Sequence, residues 1–469
     1  MREEPWRLSA LELARRIAAR ELTSAEVVEA LLERIARVNP HLNAVTLVLA
    51  DEARAGARAA DRAVDAGARL GPFHGVPFTI KENVDVAGSP TTMGVRALAE
   101  AIPAIDAPVV ERLRAAGAIP IARTNLPDMG LRVHTSSSLR GVTRNPWHPG
   151  RTAGGSSGGE AAALATGMTP LGLGNDIGGS LRNPAHCCGV ASLKPTTGRV
   201  PWAAVVPAED GPPSQQLMHV EGPMARSVAD LRAALAVLAG PHPRDPFAVP
   251  APLVGPRPAE RLRVAVLAEP PGGSTAPEIA AGVDRAARAL AAAGCEVAAA
   301  TPPHFDRIPE IWGAWLMSEL RTMMPMLGPV MGEEALGFLQ AVDRQFPAMD
   351  LGALNGVLIE RHAIARAWSQ FFTEHDVILS PVWTTPPFEH GWDTACDENV
   401  AEVLTTIRCV LPANFLGLPA AVVPAALADG LPVGVQLLGN RFREDLCLEA
   451  AEAIERALGV LTPIDPVTD

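Results

Sequence analysis

The sequence predicts an α/β fold, and three stretches carry that prediction. Val76 to Lys81 is an apolar run of strand length. Pro108 to Ala116 reads as helix, breaks at Gly117 and gives way to a second strand at Ala118 to Ala122. The same grammar returns at Leu262 to Ala268 (strand), Pro277 to Ala293 (helix), Gly294, and Cys295 to Ala300 (strand). Alternation of this kind is how a layered sheet is written.

Taken in order, residues 1–65 read as helices. Ser9 with Glu12 and Thr23 with Glu26 have capping-box spacing, and the second opens a stripe of Val27, Val28, Leu31, Leu32, Ile35 and Val38 that is expected to stop at Asn39-Pro40. Residues from about 65 to 200 hold the first strands and a glycine-dense stretch. Seven prolines between Pro241 and Pro258 mark a connection, and residues 260–469 carry the second strand-helix-strand unit. The chain is expected to form one domain over 1–469.

Composition removes several function classes. With 48% apolar and 20% charged residues the chain can bury a large core, so it is not a disordered protein. A net charge of -12 without Lys/Arg clusters offers no face to a phosphate backbone, and nucleic acid is not an expected ligand. The uncharged run Cys409 to Ala428 has bilayer length but holds Pro412, Asn414, Pro419 and Pro424, so it reads as buried loop, turn and short strand, and no membrane span is expected. Met-Arg-Glu-Glu-Pro-Trp lacks the apolar segment of a secretory signal, and six cysteines form no C-x-x-C pair. A reduced, cytoplasmic protein is the expectation. No G-x-G-x-x-G, H-x-x-x-H or H-E-x-x-H occurs, so neither cofactor nor metal is expected.

Of 40 basic side chains only two are lysine, Lys81 and Lys194. A buried ammonium can lose its proton where a guanidinium cannot, so a lysine in an arginine-writing chain invites a chemical role. Three chemistries compete for the glycine-rich residues 151–198. A phosphate cradle lacks the G-x-x-x-x-G-K-[ST] arrangement. Gly154-Gly155-Ser156-Ser157-Gly158 fits G-x-S-x-G literally, but the proline-rich text before it cannot be the central strand a nucleophile elbow needs. The third reading joins the stretch to Lys81: a neutral lysine as base, one serine as relay and another as nucleophile.

Here the residues resemble a known family. Gly-Gly-Ser-Ser-Gly-Gly at 154–159, Gly-Asn-Asp-Ile-Gly-Gly-Ser at 174–180 and Leu-Lys-Pro-Thr at 193–196 are similar to the hallmark of the amidase signature family of serine hydrolases. Lys81, Ser156 and Ser180 reproduce its intervals. Gly71 to Asp85, Arg123 to Pro127, Thr143 to Trp147, Gly222 to Arg226 and Leu431 to Gly439 extend the likeness through most of the chain.

The resemblance implies a large twisted mixed sheet between helices, with a catalytic core near 65–200. It implies that Ser180 attacks the carbonyl, that Ser156, in a cis peptide, relays the proton, and that neutral Lys81 is the base. The oxyanion hole would be built from the N-H groups of Ile177, Gly178, Gly179 and Ser180, with Asp176, Arg182 and Ser157 as supports. Hydroxyls donate and accept, which suits a relay, and Lys81 needs burial to lose its proton.

Lys194 belongs to the pattern but reads as an ion-pair or backbone-contact residue. Cys187 and Cys188 read as small buried hydrophobes. Trp312, Trp315, Phe338, Phe346 and six methionines between 317 and 349 read either as helical core or, with the Trp383 and Trp392 loop, as the roof of an apolar pocket within 305–395. The expected substrate is a small amide, aryl or alkyl, with carbamates and esters as extensions, and a homodimer is compatible with it. Two alternatives stand: the glutaminase component of a tRNA-dependent amidotransferase, from whose Ser-Ser-x-Glu-Asn-Ser stretch Val133 to Gly141 departs, and a non-catalytic binding module.

Overall fold

The computed structural model describes residues 4–208, 210–257 and 260–468. Strands in its first half are β1 (Val45–Val48), β2 (Pro77–Lys81), β3 (Ile119–Thr124), β4 (Ser136–Ser137), β5 (Gly141–Val142), β6 (Leu171–Asp176), β7 (Ala191–Lys194) and β8 (Val220–Ala225). The second half adds β9 (Arg263–Val266), β10 (Glu296–Ala299), β11 (Val377–Pro381), β12 (Ala420–Ala428) and β13 (Leu431–Gly439). Apart from the small β4/β5 ladder these form one sheet of eleven strands, ordered β1-β3-β2-β6-β8-β7-β12-β13-β11-β9-β10. The sheet is mixed: β2 runs parallel to β3 and β6, β9 parallel to β10 and β11, and the central strands pair antiparallel.

Every residue of β2, β3, β6, β7, β8, β11 and β13 is buried, which requires cover on both faces of the sheet. Strand β13 shows that cover directly. A Cβ on Gly434 would meet His186 of the helix Arg182–Cys188, while one on Gly439 would meet Cys447 of the helix Glu444–Leu458. Positions 434 and 439 point to opposite sides of a strand, so the two helices sandwich it. The helix Pro277–Ala292 packs its Gly282 against Val433, on the side of Cys447.

Both expected strand-helix-strand units form, the first joining β2 to β3 in parallel and the second β9 to β10. Two expectations need correction. The capped helix runs through Pro40 to Leu42, because Asn43 ends it in the left-handed conformation (φ 55°) and the Asn39 side chain accepts from the N-H groups of Ala44 and Val45. The N-terminal region is also not all helix: β1 adds an antiparallel edge to β3. The apolar run 409–428 becomes a five-residue helix (Leu411–Phe415) and strand β12, and no helix among the described residues is long and apolar enough to cross a membrane. The proline-rich connection is followed through 257; Pro258 lies outside the described residues. Helices Arg307–Leu327, Glu333–Gln345 and Leu351–Glu374 then precede β11.

Candidate active site

Lys81 ends β2, flanked by β3 and β6, and is fully buried. Its Nζ lies 2.7 Å from Ser156 Oγ and donates to Asn175 Oδ1 at 2.7 Å, and no carboxylate among the described residues pairs with it. Burial pushes its pKa down from 10.5 to about 7, against the pull of Asp176, Glu160 and Glu221. A protonated amine here would keep one of its three donors unpaired among the described residues, so burial and the partner count both favour the neutral form.

Ser156 follows a cis Gly155-Ser156 peptide bond. The loop threads a space that excludes side chains: a Cβ on Gly155 would lie 2.6 Å from the carbonyl carbon of Val133. Thr135 anchors both ends of the turn, its Oγ1 donating to Gly154 O and accepting from Gly158 N-H. Ser157 N-H donates to Ser180 O at 3.2 Å, which ties the two serine loops together.

Asp176 ends β6 and shapes the turn that presents Ser180. Its Oδ1 accepts from Gly179 N-H at 2.8 Å and its Oδ2 from Leu181 N-H at 3.1 Å, while the buried Arg182 guanidinium grips both oxygens at 3.0 Å. That pairing holds the Asp176 carboxyl well below the usual carboxylate range despite its burial. Gly179 has φ +101°, where a side chain would be strained. Because Gly179 N-H is committed to Asp176, the donors of the turn without a partner among the described residues are Ile177, Gly178 and Ser180.

Sequence reasoning missed Asn175 and Asn83. Asn175 Nδ2 donates to Asn83 Oδ1 at 2.9 Å, which orients the Asn175 carbonyl oxygen towards Lys81. An asparagine between glycine and aspartate carries no periodic signal, and only the β2/β6 neighbourhood gives it meaning. Glu160, equally buried, receives hydrogen bonds from Thr79 and Thr124 and is pushed up to about 7 by burial.

Ser180 stands where two hollows meet. The wide one, about 460 Å³, has Ser156, Asn83 and Asn175 on its wall together with Trp202, His219 and Met323. The narrow one, about 80 Å³, lies between Gly178, Trp312, Leu316, Phe338 and Phe346. Both readings of the methionine-rich helices therefore hold in part: Met317, Met323 and Met326 reach a hollow, whereas Trp315 is core. Trp383 does not roof the pocket; it is buried and stacked on Phe388 at 5.5 Å.

Lys194 makes backbone contacts, donating to Leu418 O at 2.8 Å and Pro195 O at 3.2 Å. Cys187 and Cys188 are buried free thiols. No His/Cys/Asp/Glu group suited to a metal occurs among the described residues.

A fold and site of this kind define a class. The Amidase family model matches residues 26–448, and the chain belongs to that family. It is 43% identical to an indoleacetamide hydrolase of Bradyrhizobium diazoefficiens, over 97% of this chain and 87% of that protein. It is 34% identical to the A subunit of a glutamyl-tRNA(Gln) amidotransferase from Synechococcus, over 94% of this chain and 95% of that protein. The solved structure of 6-aminohexanoate cyclic dimer hydrolase with substrate superposes with a TM-score of 0.83 at 30% identity, covering 97% of this chain and 98% of that one. The protein is thus an amidase-family enzyme that acts on amides.

Proposed function

We propose that the chain hydrolyses small neutral amides through an acyl-enzyme on Ser180. Ser180 Oγ bonds to the carbonyl carbon while its proton passes to Ser156 and the proton of Ser156 to Lys81. The C-N bond then breaks as Ser156 returns a proton to the leaving nitrogen, and water, activated along the same relay, releases the acid. The observation that carries this reading is Lys81 Nζ at 2.7 Å from Ser156 Oγ, with no carboxylate among the described residues to hold the ammonium form. The N-H groups of Ile177, Gly178 and Ser180 would receive the developing oxyanion, and such a donor is worth roughly 100-fold or more in rate.

The apolar narrow hollow suits a flat aryl or a short alkyl acyl group, which is compatible with the indoleacetamide hydrolase relative. Carbamates and esters present the same carbonyl and belong on the substrate panel. Likeness to the amidotransferase component favours a second reading, glutamine hydrolysis inside a complex. Against it, the wide hollow, which holds Ser156, has no Lys or Arg among the described residues of its wall to receive an amino-acid carboxylate.

The test is Ser180→Ala. It should abolish amide turnover and labelling by a fluorophosphonate probe while leaving the melting temperature within a few degrees, and turnover in that variant would falsify the nucleophile assignment.

A further inference from the structure

Glu160 is a fully buried carboxyl that the proposed relay does not use. It belongs to the first turn of the helix Gly158–Ala165, which follows directly on Ser156 and Ser157, so its place is tied to that of the relay serine. Its two oxygens reach the strands on which the base stands. The Thr79 hydroxyl is hydrogen-bonded to Oε1, and Thr124 Oγ1 donates to Oε2 at 2.7 Å. Thr79 shares a face of β2 with Lys81, and Thr124 is the partner of Lys81 in the β2/β3 ladder. The third strand makes room for the carboxyl: Gly172 of β6 pairs with Thr79, and a Cβ there would overlap Glu160 Oε1.

Two cations face Glu160 without pairing with it. Lys81 of β2 bonds to Ser156 and Asn175. Arg123 of β3 donates to Ser89 and to the carbonyls of Ile80, Lys81, Val84 and Pro90. Burial pushes the Glu160 carboxyl up to about 7, against its threonine partners and the pull of Lys81 and Arg123. A buried carboxylate without a paired cation is costly, so what this side chain offers the site is directed hydrogen bonds and not a charge.

We infer that Glu160 is a positioning residue for the base: bridging Thr79 and Thr124 from the helix that continues Ser156, it sets the distance over which Ser156 and Lys81 exchange a proton, and it does so by hydrogen bonding. The inference rests on the proposed Ser180 chemistry and adds to it a residue outside the serine-lysine relay that controls the geometry of that relay.

The rate at which a fluorophosphonate probe labels Ser180, taken per labelled site and followed across neutral pH, tests it. A merely structural role would change the melting temperature and the number of sites that label, but not the rate at each site. Glu160→Leu, which removes both hydrogen bonds, should label about 10- to 100-fold more slowly per site, the cost of a misplaced base. Glu160→Gln can accept from one threonine and donate to the other, so it should restore the rate to within about threefold of wild type. The inflection near 7 that Lys81 sets should stay in place in that variant. Thr124→Val, with one of the two bonds gone, should fall between them. A wild-type rate in Glu160→Leu overturns the inference, as does Glu160→Gln labelling as slowly as Glu160→Leu. An inflection moved by more than about half a pH unit in Glu160→Gln also overturns it, because Glu160 would then act on Lys81 by charge, as Asp176 of β6 and Glu221 of β8 do. Should Glu160→Leu fail to fold, Thr124→Val decides: a slowed rate with the melting temperature kept supports the inference, and an unchanged rate overturns it. Wild-type protein that does not label at all sinks the Ser180 chemistry itself.

Discussion

At the scale of single residues, the proposed mechanism makes the protonation of Lys81 decisive for activity. Its folded pKa is lowered to about 7, so the basic form rises as pH passes upward through that value and is lost below it. The kcat/KM profile on a neutral amide should climb from about pH 6 to 8 with an inflection near 7, and Lys81→Arg should be as inactive as Lys81→Ala, since a guanidinium does not give up its proton. A flat profile with an active arginine variant would refute the base assignment. Asn175 is a positioning residue in this scheme, because it aims one Lys81 N-H away from Ser156 and leaves the amine lone pair for the relay. Asn175→Ala should lower kcat by roughly 10- to 100-fold, the cost of a misplaced base. Asn175→Asp should do something a structural role would not: a carboxylate beside Lys81 stabilises the ammonium, so the acidic limb of the profile should move to higher pH. An unshifted limb in that variant argues against the contact.

At the scale of elements, glycine separates segments that must touch backbone from segments that merely contain it. The helix Gly158–Ala165 begins against the chain leaving β3, and a Cβ on Gly159 would sit 2.4 Å from Asn125 N and 2.6 Å from Asn125 O. Neither atom can swing aside, so Gly159→Ala should destabilise by about 1–3 kcal/mol. Gly337, inside the helix Glu333–Gln345, meets nothing within 4 Å, and Gly337→Ala should stabilise by up to about 1 kcal/mol. Thermal melts of the two variants should move in opposite directions, and a shared sign would contradict this packing. The same contrast explains what was legible in the sequence. Lys81, Ser156 and Ser180 were visible through a family motif and its spacing, whereas the close approach at Gly155 and the left-handed backbone at Gly179 emerge only from the folded chain. Strand β1 was hidden because four residues between two helices carry too little periodicity, and Pro40 misled because the helix ends at Asn43, which turns left-handed while Asn39 Oδ1 accepts from the N-H groups of Ala44 and Val45. The two hollows were legible only in part: the methionine-rich helices offered a roof, but the residues near 130, 178 and 202–219 that complete the walls converge with 312–346 only through the fold.

At the scale of the whole molecule, the site depends on a seam. Among the described residues, the N-terminal strands and the C-terminal strands of the sheet meet only where β7 pairs β12, over Lys194, Leu193 and Ser192 against Ala420, Ala421 and Val422. Side chains reinforce that junction: Arg182 reaches Val410 O, Asn414 and Gln436 while gripping Asp176, and Arg199 pairs with Glu444. The turn that presents Ser180 is therefore braced by both halves. Lys194 is the seam's titrating member. Its Nζ donates across it to Leu418 O, and burial, with Arg182 adding to it, lowers its pKa from 10.5 to about 7. Between those two values the unfolded chain holds a proton that the folded protein lacks, so this lysine costs stability in full below about pH 7 and that cost is relieved as pH rises towards 10.5. Lys81 imposes the same sign, but it is common to any comparison that changes only Lys194. Lys194→Met loses two backbone contacts at every pH, a constant offset, and it also loses the titration. Denaturant unfolding of both proteins at about pH 7, 8 and 9 should show wild-type stability rising relative to Lys194→Met by on the order of 1 kcal/mol per pH unit. Parallel curves would mean that Lys194 keeps its proton in the fold and that the seam is held by an ammonium.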